Sequence, residues 1–271
     1  MVQYNRLQYL PTAEELPDSD DTPVDNELQI LIPILLRAIL ALVWADRRDW
    51  FLGVNMGVYH DPGKPAIVPD GFLSLGVQRF KQGGKLRLSY VIWQEIDIVP
   101  QWVLEVVSKT PGGEYDDKIT KYAQMGVLYY VIYNPDYWER DKHDPFEVYC
   151  LVNGSYVRQS SQPVWMPELG LGIGCEQGTH EGYTREWLYW YNQQGDRLPT
   201  PANAIQQERQ RADEAQQQLD LERQRADEAQ QQLDLERQRA DEAQQQLDLE
   251  RRLREELLNK LRNRGINLDD L

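Results

Sequence analysis

Apolar residues follow two different patterns along the chain. Up to about residue 200 they form runs of the lengths typical of buried helices and strands, whereas the remaining residues are mostly polar and repetitive. The longest apolar stretch, residues 28–44, contains Gln29, Pro33 and Arg37. It therefore predicts a buried helix over residues 26–44 rather than a membrane span.

The segments that follow predict strands with one helix among them. Strand-like runs occupy residues 50–59, 71–77, 102–107, 128–133, 146–152 and 155–158. An amphipathic pattern over residues 115–125 predicts a helix that ends before Gly126, since glycine is favoured just after a helix. Asn153-Gly154, a strong hairpin signal, joins the last two strands. Together these elements predict an α/β domain with a mixed sheet flanked by helices.

The polar region repeats without change. The fourteen-residue unit ERQRADEAQQQLDL occurs three times over residues 208–249. Fourteen residues are two heptads, and placing Ala212 at position a gives a seam of Ala, Ala, Leu and Glu. No Gly or Pro interrupts the run before Gly265, so we expect one helix of ~90 Å over roughly residues 201–263. Because the seam is poor in Leu and Ile, two interpretations stay open: a weak coiled coil that self-associates or binds a partner helix, and a solvated spacer.

A proline-containing segment around Pro199 and Pro201 separates the two regions. We expect a folded domain over residues 1–197, a linker and helix start over residues 198–207, and the repetitive helical tail over residues 208–271.

The net charge of −15 divides into −10 for the first 200 residues and −5 for the rest. A nucleic-acid-binding domain usually has a basic footprint, and this domain has none in bulk. Lys81, Lys85 and Arg87 lie close together in sequence, which leaves open a local basic footprint or a solvated hairpin.

The chain start and the cysteines indicate the compartment. The first residues lack the basic-then-apolar pattern of a signal peptide. Cys150 and Cys175 have no metal-binding spacing, and without a secretory signal we expect reduced thiols. These features predict a cytoplasmic protein with no membrane segment.

Three segments carry residues suited to chemistry. Asp70 follows a proline and leads into an apolar strand, and Glu105 is the only charge within a continuous apolar run. Such a run fills a strand buried on both faces, where a carboxylate is costly unless it is paired or bound to a cation. On the predicted helix that follows, Lys118 and Tyr122 are four residues apart and share a face.

Two carboxylates and a lysine are the groups that metal-dependent hydrolysis of a phosphodiester needs. Asp70, Glu105 and the carbonyl oxygen of Val106 would supply hard oxygen ligands to Mg²⁺ or Mn²⁺. The lysine would position water or stabilise the developing charge. Spacing alone leaves simpler interpretations open, because an Asp after Pro often caps a strand and a strand Glu often pairs with an arginine.

The order of these segments resembles a known family. In chain order they are P-D at 69–70, E-V-V-S-K at 105–109, D-K-x-x-K-Y-A-x-x-G-V at 117–127, and an aromatic strand ending in N-P at 134–135. Flanking segments at 53–59 and 89–95 agree. This pattern resembles the Uma-type family of restriction-endonuclease-like proteins, within the PD-(D/E)XK nuclease superfamily, over roughly residues 10–195. The resemblance implies a restriction-endonuclease-like fold and a metal-dependent nuclease that acts on DNA.

Residue by residue, the resemblance implies Asp70 and Glu105 as metal ligands, with Lys118 completing the catalytic set. The superfamily's lysine normally lies two residues after the glutamate, where this chain has Val107. The resemblance places it instead on the following helix, at Lys118, with Lys109 as the rival.

The first helix and three departures from the family pattern need separate mention. Glu27 falls where related nucleases often have an accessory acidic residue, and an ordinary first-turn glutamate is the equal alternative. The family usually has an acidic residue where Tyr129 stands, an aspartate where Asn134 stands, and a branched residue where Gly71 stands. None of these departures falls on the inferred catalytic set.

Other chemistries find no support in the sequence. The three histidines, His60, His143 and His180, are scattered without zinc spacing. The glycine-rich segment at 170–174 lacks the lysine and the following helix of a phosphate-binding loop, so it predicts a glycine-punctuated turn.

Two functions from different classes remain. The first is a Mg²⁺-dependent endonuclease that hydrolyses DNA, favoured by the intact set of Asp70, Glu105 and Lys118. The second is a non-catalytic nuclease fold that acts as a binding or assembly module through its tail, favoured by the acidic charge and the unchanged repeats.

Overall fold

The computed structural model describes residues 9–17 and 25–263. Packing divides the chain into two units, residues 1–204 and 205–271. The start of the predicted domain, residues 1–8, and the end of the predicted tail, residues 264–271 with Gly265, lie outside the described residues. No helix within the described ranges is long and apolar enough to span a membrane.

Four helices and eleven strands form within the described residues. The helices are α1 (Leu28–Val43), α2 (Asp117–Met125), α3 (Trp138–Asp141) and α4 (Pro201–Asn263). The strands are β1 (Trp50–Val54), β2 (Val58–Tyr59), β3 (Gly71–Leu75), β4 (Tyr90–Val91), β5 (Trp102–Val106), β6 (Tyr129–Tyr133), β7 (Phe146–Val152), β8 (Ser155–Gln159), β9 (Val164–Met166), β10 (Leu171–His180) and β11 (Tyr183–Tyr191).

The central sheet has six strands in the order β1-β3-β5-β6-β7-β8. Strands β5 and β6 pair in parallel, and the other neighbours in this sheet pair antiparallel. A three-stranded antiparallel sheet, β11-β10-β9, and a parallel pair, β2-β4, complete the strands. The predicted α/β fold, a mixed sheet with helices followed by a long C-terminal helix, is confirmed.

Strand β5 separates two hydrophobic cores, because alternate side chains of a strand point to opposite faces. Trp102, Leu104 and Val106 belong to the core formed with α1 and the second sheet. Val103 and Val107 belong to the core formed with α2. Period-two spacing therefore places the side chain of Glu105 on the α2 face.

The helix and hairpin signals of the sequence agree with the structure. The predicted helix over residues 26–44 is α1, and the one over residues 115–125 is α2. Gly126 ends α2 with φ 90°, and its N–H donates to the Tyr122 carbonyl. The β7–β8 hairpin turns through Asn153 and Gly154, both with positive φ, as a tight hairpin turn requires.

The glycine-punctuated turn predicted at residues 170–174 is wrong beyond its first residue. Gly170 lies in a turn with φ 66°, but Leu171 begins the ten-residue strand β10. The following glycines have a packing role, since a Cβ at Gly174 would lie 2.9 Å from Cε2 of Tyr191 on β11. The glycines thus permit close contact with the aromatic strand β11. The signal missed in the sequence was glycine at alternate positions near the start of one strand, opposite aromatic residues of the neighbouring strand.

The basic segment at residues 81–87 is neither a solvated hairpin nor a free basic footprint. Arg87 is buried, with its side chain 2% exposed, and its Nε lies 2.9 Å from Oε1 of Glu95. Lys81 pairs with the same carboxylate at 2.5 Å. Two of the three basic groups are therefore paired within the fold, and they share one carboxylate.

Helix α4 has the predicted bounds, residues 201–263. Thr200 caps its start by accepting a hydrogen bond from the Asn203 N–H at 3.2 Å. None of its described residues is buried, and each repeat has two Gln-to-acid hydrogen bonds between residues i and i+4, such as Gln210–Glu214 and Gln216–Asp220. Such pairs stabilise a helix without tertiary packing. Whether the helix pairs with another stays a prediction.

We predict that removal of the tail leaves the domain folded. Leu198 packs against the core and its N–H donates to the Trp190 carbonyl at 2.8 Å, so we propose that the domain extends past residue 197, to Thr200. A protein of residues 1–200 should melt within a few degrees of the full chain. Truncation before Leu198 should lower the melting temperature, and an unfolded 1–200 protein would contradict the proposed boundary.

A second prediction concerns self-association of the tail. Its seam of Ala, Ala, Leu and Glu buries little apolar area per heptad, and each Glu at position d costs desolvation. Sedimentation of the full chain at micromolar concentration should show mostly monomer, with association weakening as the pH rises through the carboxylate range. A dimer that persists at nanomolar concentration would contradict this expectation.

Candidate metal-dependent catalytic site

The candidate site lies where β3 and β5 diverge. Their antiparallel register pairs Leu73 with Trp102 and Gly71 with Leu104, and the ladder ends there. Just beyond the end of the ladder lie Asp70, which precedes Gly71, and Glu105, which follows Leu104. Asp70 no longer pairs through its backbone with β5, and its Oδ2 instead accepts a hydrogen bond from the Val106 N–H at 2.6 Å. The carboxylate therefore closes the end of the ladder.

Glu105 lies on β5 with both oxygens occupied. Its side chain is 1% exposed. The Nζ of Lys118 donates to Oε2 at 2.8 Å, and the Tyr122 hydroxyl donates to Oε1 at 2.5 Å. Both partners come from α2, where their spacing of four residues places them on one face. The helix thus supplies a charge and a hydrogen bond to a carboxylate that water does not reach.

The structure distinguishes between the two candidate lysines by position. Lys118 reaches Glu105 and is 24% exposed, whereas Lys109 is exposed beyond the end of β5. Val107, at the usual lysine position, is buried in the core against α2. The structure therefore brings together Asp70, Glu105 and Lys118.

Glu114 is a further acidic residue at the site that the sequence did not indicate. It is 5% exposed, and its Oε2 accepts a hydrogen bond from the Gly112 N–H at 2.9 Å. Its Oε1 lies 3.9 Å from Nζ of Lys118. It sits in a loop among polar residues, where an acidic residue is ordinary, so only the fold reveals its burial.

On the first helix, Gln29 rather than Glu27 approaches the site. Glu27 is exposed at the start of α1. The Nε2 of Gln29 donates to the Val106 carbonyl at 3.4 Å, and the Gln29 carbonyl accepts from Nδ2 of Asn55 at 3.4 Å. Gln29 was visible in the sequence as a polar residue within an apolar helix, but its direction depends on packing.

Burial determines the electrostatics of the site. It raises the pKa of Asp70 well above the usual range, and the negative charge of Glu105 raises it further. Burial also raises the pKa of Glu105, although Lys118 opposes the increase. For Lys118, burial disfavours the charged form, but the charge of Glu105 outweighs it and raises the pKa. The lysine is therefore an ammonium ion at neutral pH.

The site opens into a cleft of about 880 Å³. Asp70, Glu114, Lys118, Gln29 and Asn55 are among the residues that line it. Its charged lining residues are Asp25, Lys64, Asp70, Glu114, Asp117, Lys118 and Lys121. The cleft is large enough to admit a substrate phosphate group together with a hydrated cation.

The donor set fits a hard divalent cation in chemistry and charge. Asp70, Glu105 and Glu114 are buried carboxylates around a single ammonium group, so the site lacks positive charge. Carboxylate and carbonyl oxygens are the ligands that Mg²⁺ and Mn²⁺ prefer. Among the described residues, no group of three or more His, Cys, Asp or Glu side chains has the geometry to hold a metal ion. A cation would therefore rely on two carboxylates together with backbone and water oxygens.

The departures from the family pattern have structural roles. Asn134 is fully buried, donates to Asp141 and the Tyr115 hydroxyl, and accepts from the Tyr137 N–H. The hydroxyl of Tyr129 donates to Glu168. A Cβ at Gly71 would lie 3.0 Å from Cβ of Pro33 on α1, so glycine permits the close approach of helix and strand.

Two comparisons with known proteins found a similarity. A family model described as "Uma2: Putative restriction endonuclease" matches residues 14–178. A solved structure, described as a putative nuclease belonging to DUF820 from Anabaena variabilis, shares 14% identity with a TM-score of 0.40. The match covers 58% of this chain and 88% of that chain. No curated protein matches the chain.

We predict that Asp70→Asn stabilises the metal-free protein at neutral pH. The pKa of Asp70 is raised on folding, so folding favours its protonated form, and its contribution to stability is lost as the pH rises from about 4. The asparagine side chain does not ionise, so the variant does not lose this stability as the pH rises. The gain in unfolding free energy should be near zero at pH 4 and grow by at most about 1.4 kcal/mol per pH unit until the folded-state pKa is passed.

Urea denaturation of both proteins from pH 4 to 8, in the presence of a chelator, measures this gain. Asp136→Asn is a matched control, because Asp136 is half exposed and pairs with Arg185 at the surface. If the gain in unfolding free energy of Asp70→Asn did not change with pH, folding would not raise the pKa of Asp70.

Proposed function

The chain belongs to the Uma2 family of restriction-endonuclease-like nucleases, and from that premise we propose that it is a divalent-metal-dependent endonuclease that hydrolyses phosphodiester bonds in DNA. The proposal assigns catalysis to Asp70, Glu105 and Lys118, with Asp70 and Glu105 as ligands of Mg²⁺ or Mn²⁺.

One observation supports this proposal above the others. Three buried carboxylates surround a single ammonium group at the base of an open cleft. Burying charge of one sign is costly, and a fold that needed only structural pairing would supply one cation for each carboxylate. The excess negative charge is what a divalent cation would balance.

Each residue of the site has a role that follows from its position. Asp70 lines the cleft and Glu105 lies behind it, so the two carboxylates would hold a cation from the side of the sheet. A divalent cation, when bound, acts as a Lewis acid on a phosphate ester and makes water a stronger nucleophile at neutral pH. Lys118 also lines the cleft, and its charged Nζ would donate to phosphate oxygens as negative charge develops on them. Tyr122 would keep Glu105 in place through its hydrogen bond.

We predict that the purified full chain nicks plasmid DNA in the presence of Mg²⁺ or Mn²⁺. Asp70→Ala and Glu105→Gln should each lower the rate at least a hundred-fold, because each removes a carboxylate that holds the cation. Gel analysis of supercoiled, nicked and linear forms measures the rate. Wild-type cleavage equal to that of Asp70→Ala would favour the alternative function, a nuclease fold that acts as a binding or assembly module through its tail.

A separate prediction tests the lysine. Lys118→Met should lower cleavage about as strongly as the carboxylate variants, while Mn²⁺ binding measured by calorimetry or electron paramagnetic resonance stays within a few-fold of wild type, because Lys118 is not a ligand. Lys109→Met is the matched control, since Lys109 is exposed and should leave both properties unchanged. Full activity in Lys118→Met would remove this residue from the mechanism.

A further inference from the structure

A second charged surface lies at the opposite end of the sheet from Asp70. Strands β1 and β3 are antiparallel, so Trp50 at the start of β1 pairs with Leu75 at the end of β3. The loops that precede β1 and follow β3 are joined there, and the Arg79 N–H donates to the Arg48 carbonyl at 2.8 Å. This surface is separate from the cleft, because none of these loop residues lines it.

Arginine side chains here contact one exposed aromatic ring, that of Phe80, and one buried ring, that of Trp50. The guanidinium carbon of Arg79 lies 4.1 Å from the centre of the Trp50 ring and 5.5 Å from that of Phe80. The guanidinium carbon of Arg48 lies 5.9 Å from the same Phe80 ring, which is 58% exposed. We define the arginine surface as Arg48, Arg79 and Phe80 together with Arg37, which is exposed on α1.

Among the described residues, the charges of the arginine surface have no carboxylate partners. The nearby Asp49 is held by Arg47 at 2.5 Å. Within residues 9–17 and 25–263, neither Arg37, Arg48 nor Arg79 forms an ion pair with a carboxylate. Burial lowers the pKa of Arg79, and the positive charges of Arg37, Arg87 and Arg48 lower it further.

Unpaired like charges of this kind are unfavourable, and this domain has ten more acidic than basic residues with which to pair them. An external anion would relieve the repulsion. Guanidinium groups present a fork of N–H donors that matches phosphate oxygens. An exposed ring between such groups is the arrangement on which an unstacked base packs.

We propose that the arginine surface binds single-stranded nucleic acid, with phosphates held by Arg37, Arg48 and Arg79 and one base stacked on Phe80. The proposal rests on the proposed function only in the choice of nucleic acid over other polyanions. Phe80 favours single-stranded over duplex nucleic acid, because a base within a duplex is already stacked on both faces and does not offer a face to the ring.

The test is a fluorescence-anisotropy titration of the full chain with a labelled oligothymidylate of ~15 nucleotides, in EDTA and over a range of salt concentrations. Each arginine that contacts a phosphate contributes about 0.7 to the slope of log affinity against log salt, or about five-fold in affinity near ~0.1 M salt. The double variant Arg37→Gln/Arg48→Gln should therefore bind about 25-fold more weakly, with a slope lower by about 1.4. Phe80→Ala should weaken binding at least about five-fold with an unchanged slope.

Arg197→Gln is the matched control. Its guanidinium carbon lies 4.5 Å from the centre of the Tyr189 ring, so it is stacked in the same way, but it pairs with Glu176 at 2.9 Å. This variant should bind like wild type. Arg37, Arg48 and Phe80 are exposed, so these variants should fold, and thermal melting confirms that they do.

Several outcomes would overturn the proposal. They are no binding by the wild-type chain at low salt, equal weakening by Arg197→Gln, tighter binding of a duplex of the same length, or stronger displacement by poly-glutamate than by unlabelled oligothymidylate. Because EDTA excludes metal-dependent cleavage, failure of this test leaves the proposed endonuclease activity unaffected. Failure of the plasmid assay likewise leaves a positive binding result intact.

Discussion

Glu105 lies in the central strand β5, where β6 beside it and α2 above exclude water. An ionised carboxylate in such a place is costly unless its oxygens have partners. Lys118 and Tyr122 supply one partner to each oxygen, so the position of α2 is tied to this carboxylate. Removing either partner would leave a buried acceptor unsatisfied. The arrangement that keeps the fold stable is therefore also the arrangement that places an ammonium ion at the cleft.

The other face of β5 fixes the register on which the site depends. A shift of one residue would exchange the two faces and turn Glu105 into the tryptophan-rich core. Trp102 packs against Trp190 of the second sheet with ring centres 5.0 Å apart, and Nε1 of Trp190 donates to the Leu36 carbonyl of α1. The second sheet thus positions the site without contributing a residue to it.

Local signals in the sequence predicted the parts of the structure that local physics determines. Gly126 ended α2, Asn153-Gly154 formed a hairpin, and unbroken helix-favouring residues gave the bounds of α4. The parts that depend on long-range packing were missed, such as β10, whose glycines accommodate an aromatic strand. At the candidate site, the sequence indicated Asp70 and Glu105 because a charge beside or within an apolar run is visible. Glu114 and Gln29 became apparent only through burial and contact.

The distribution of charge also constrains the order of events in the proposed reaction. The acidic cluster at the start of β3 and the arginine surface beyond its end are separated by the length of that strand, roughly 17 Å for five residues. Without a cation, the cluster offers a polyanion no net positive charge, whereas the arginine surface does. A nucleic acid would therefore bind first away from the cleft, and its approach to Asp70 would become favourable only after a divalent cation had reduced the negative charge there. Metal binding would then control access to the cleft as well as chemistry within it, because the cation would supply the positive charge that attracts a polyanion.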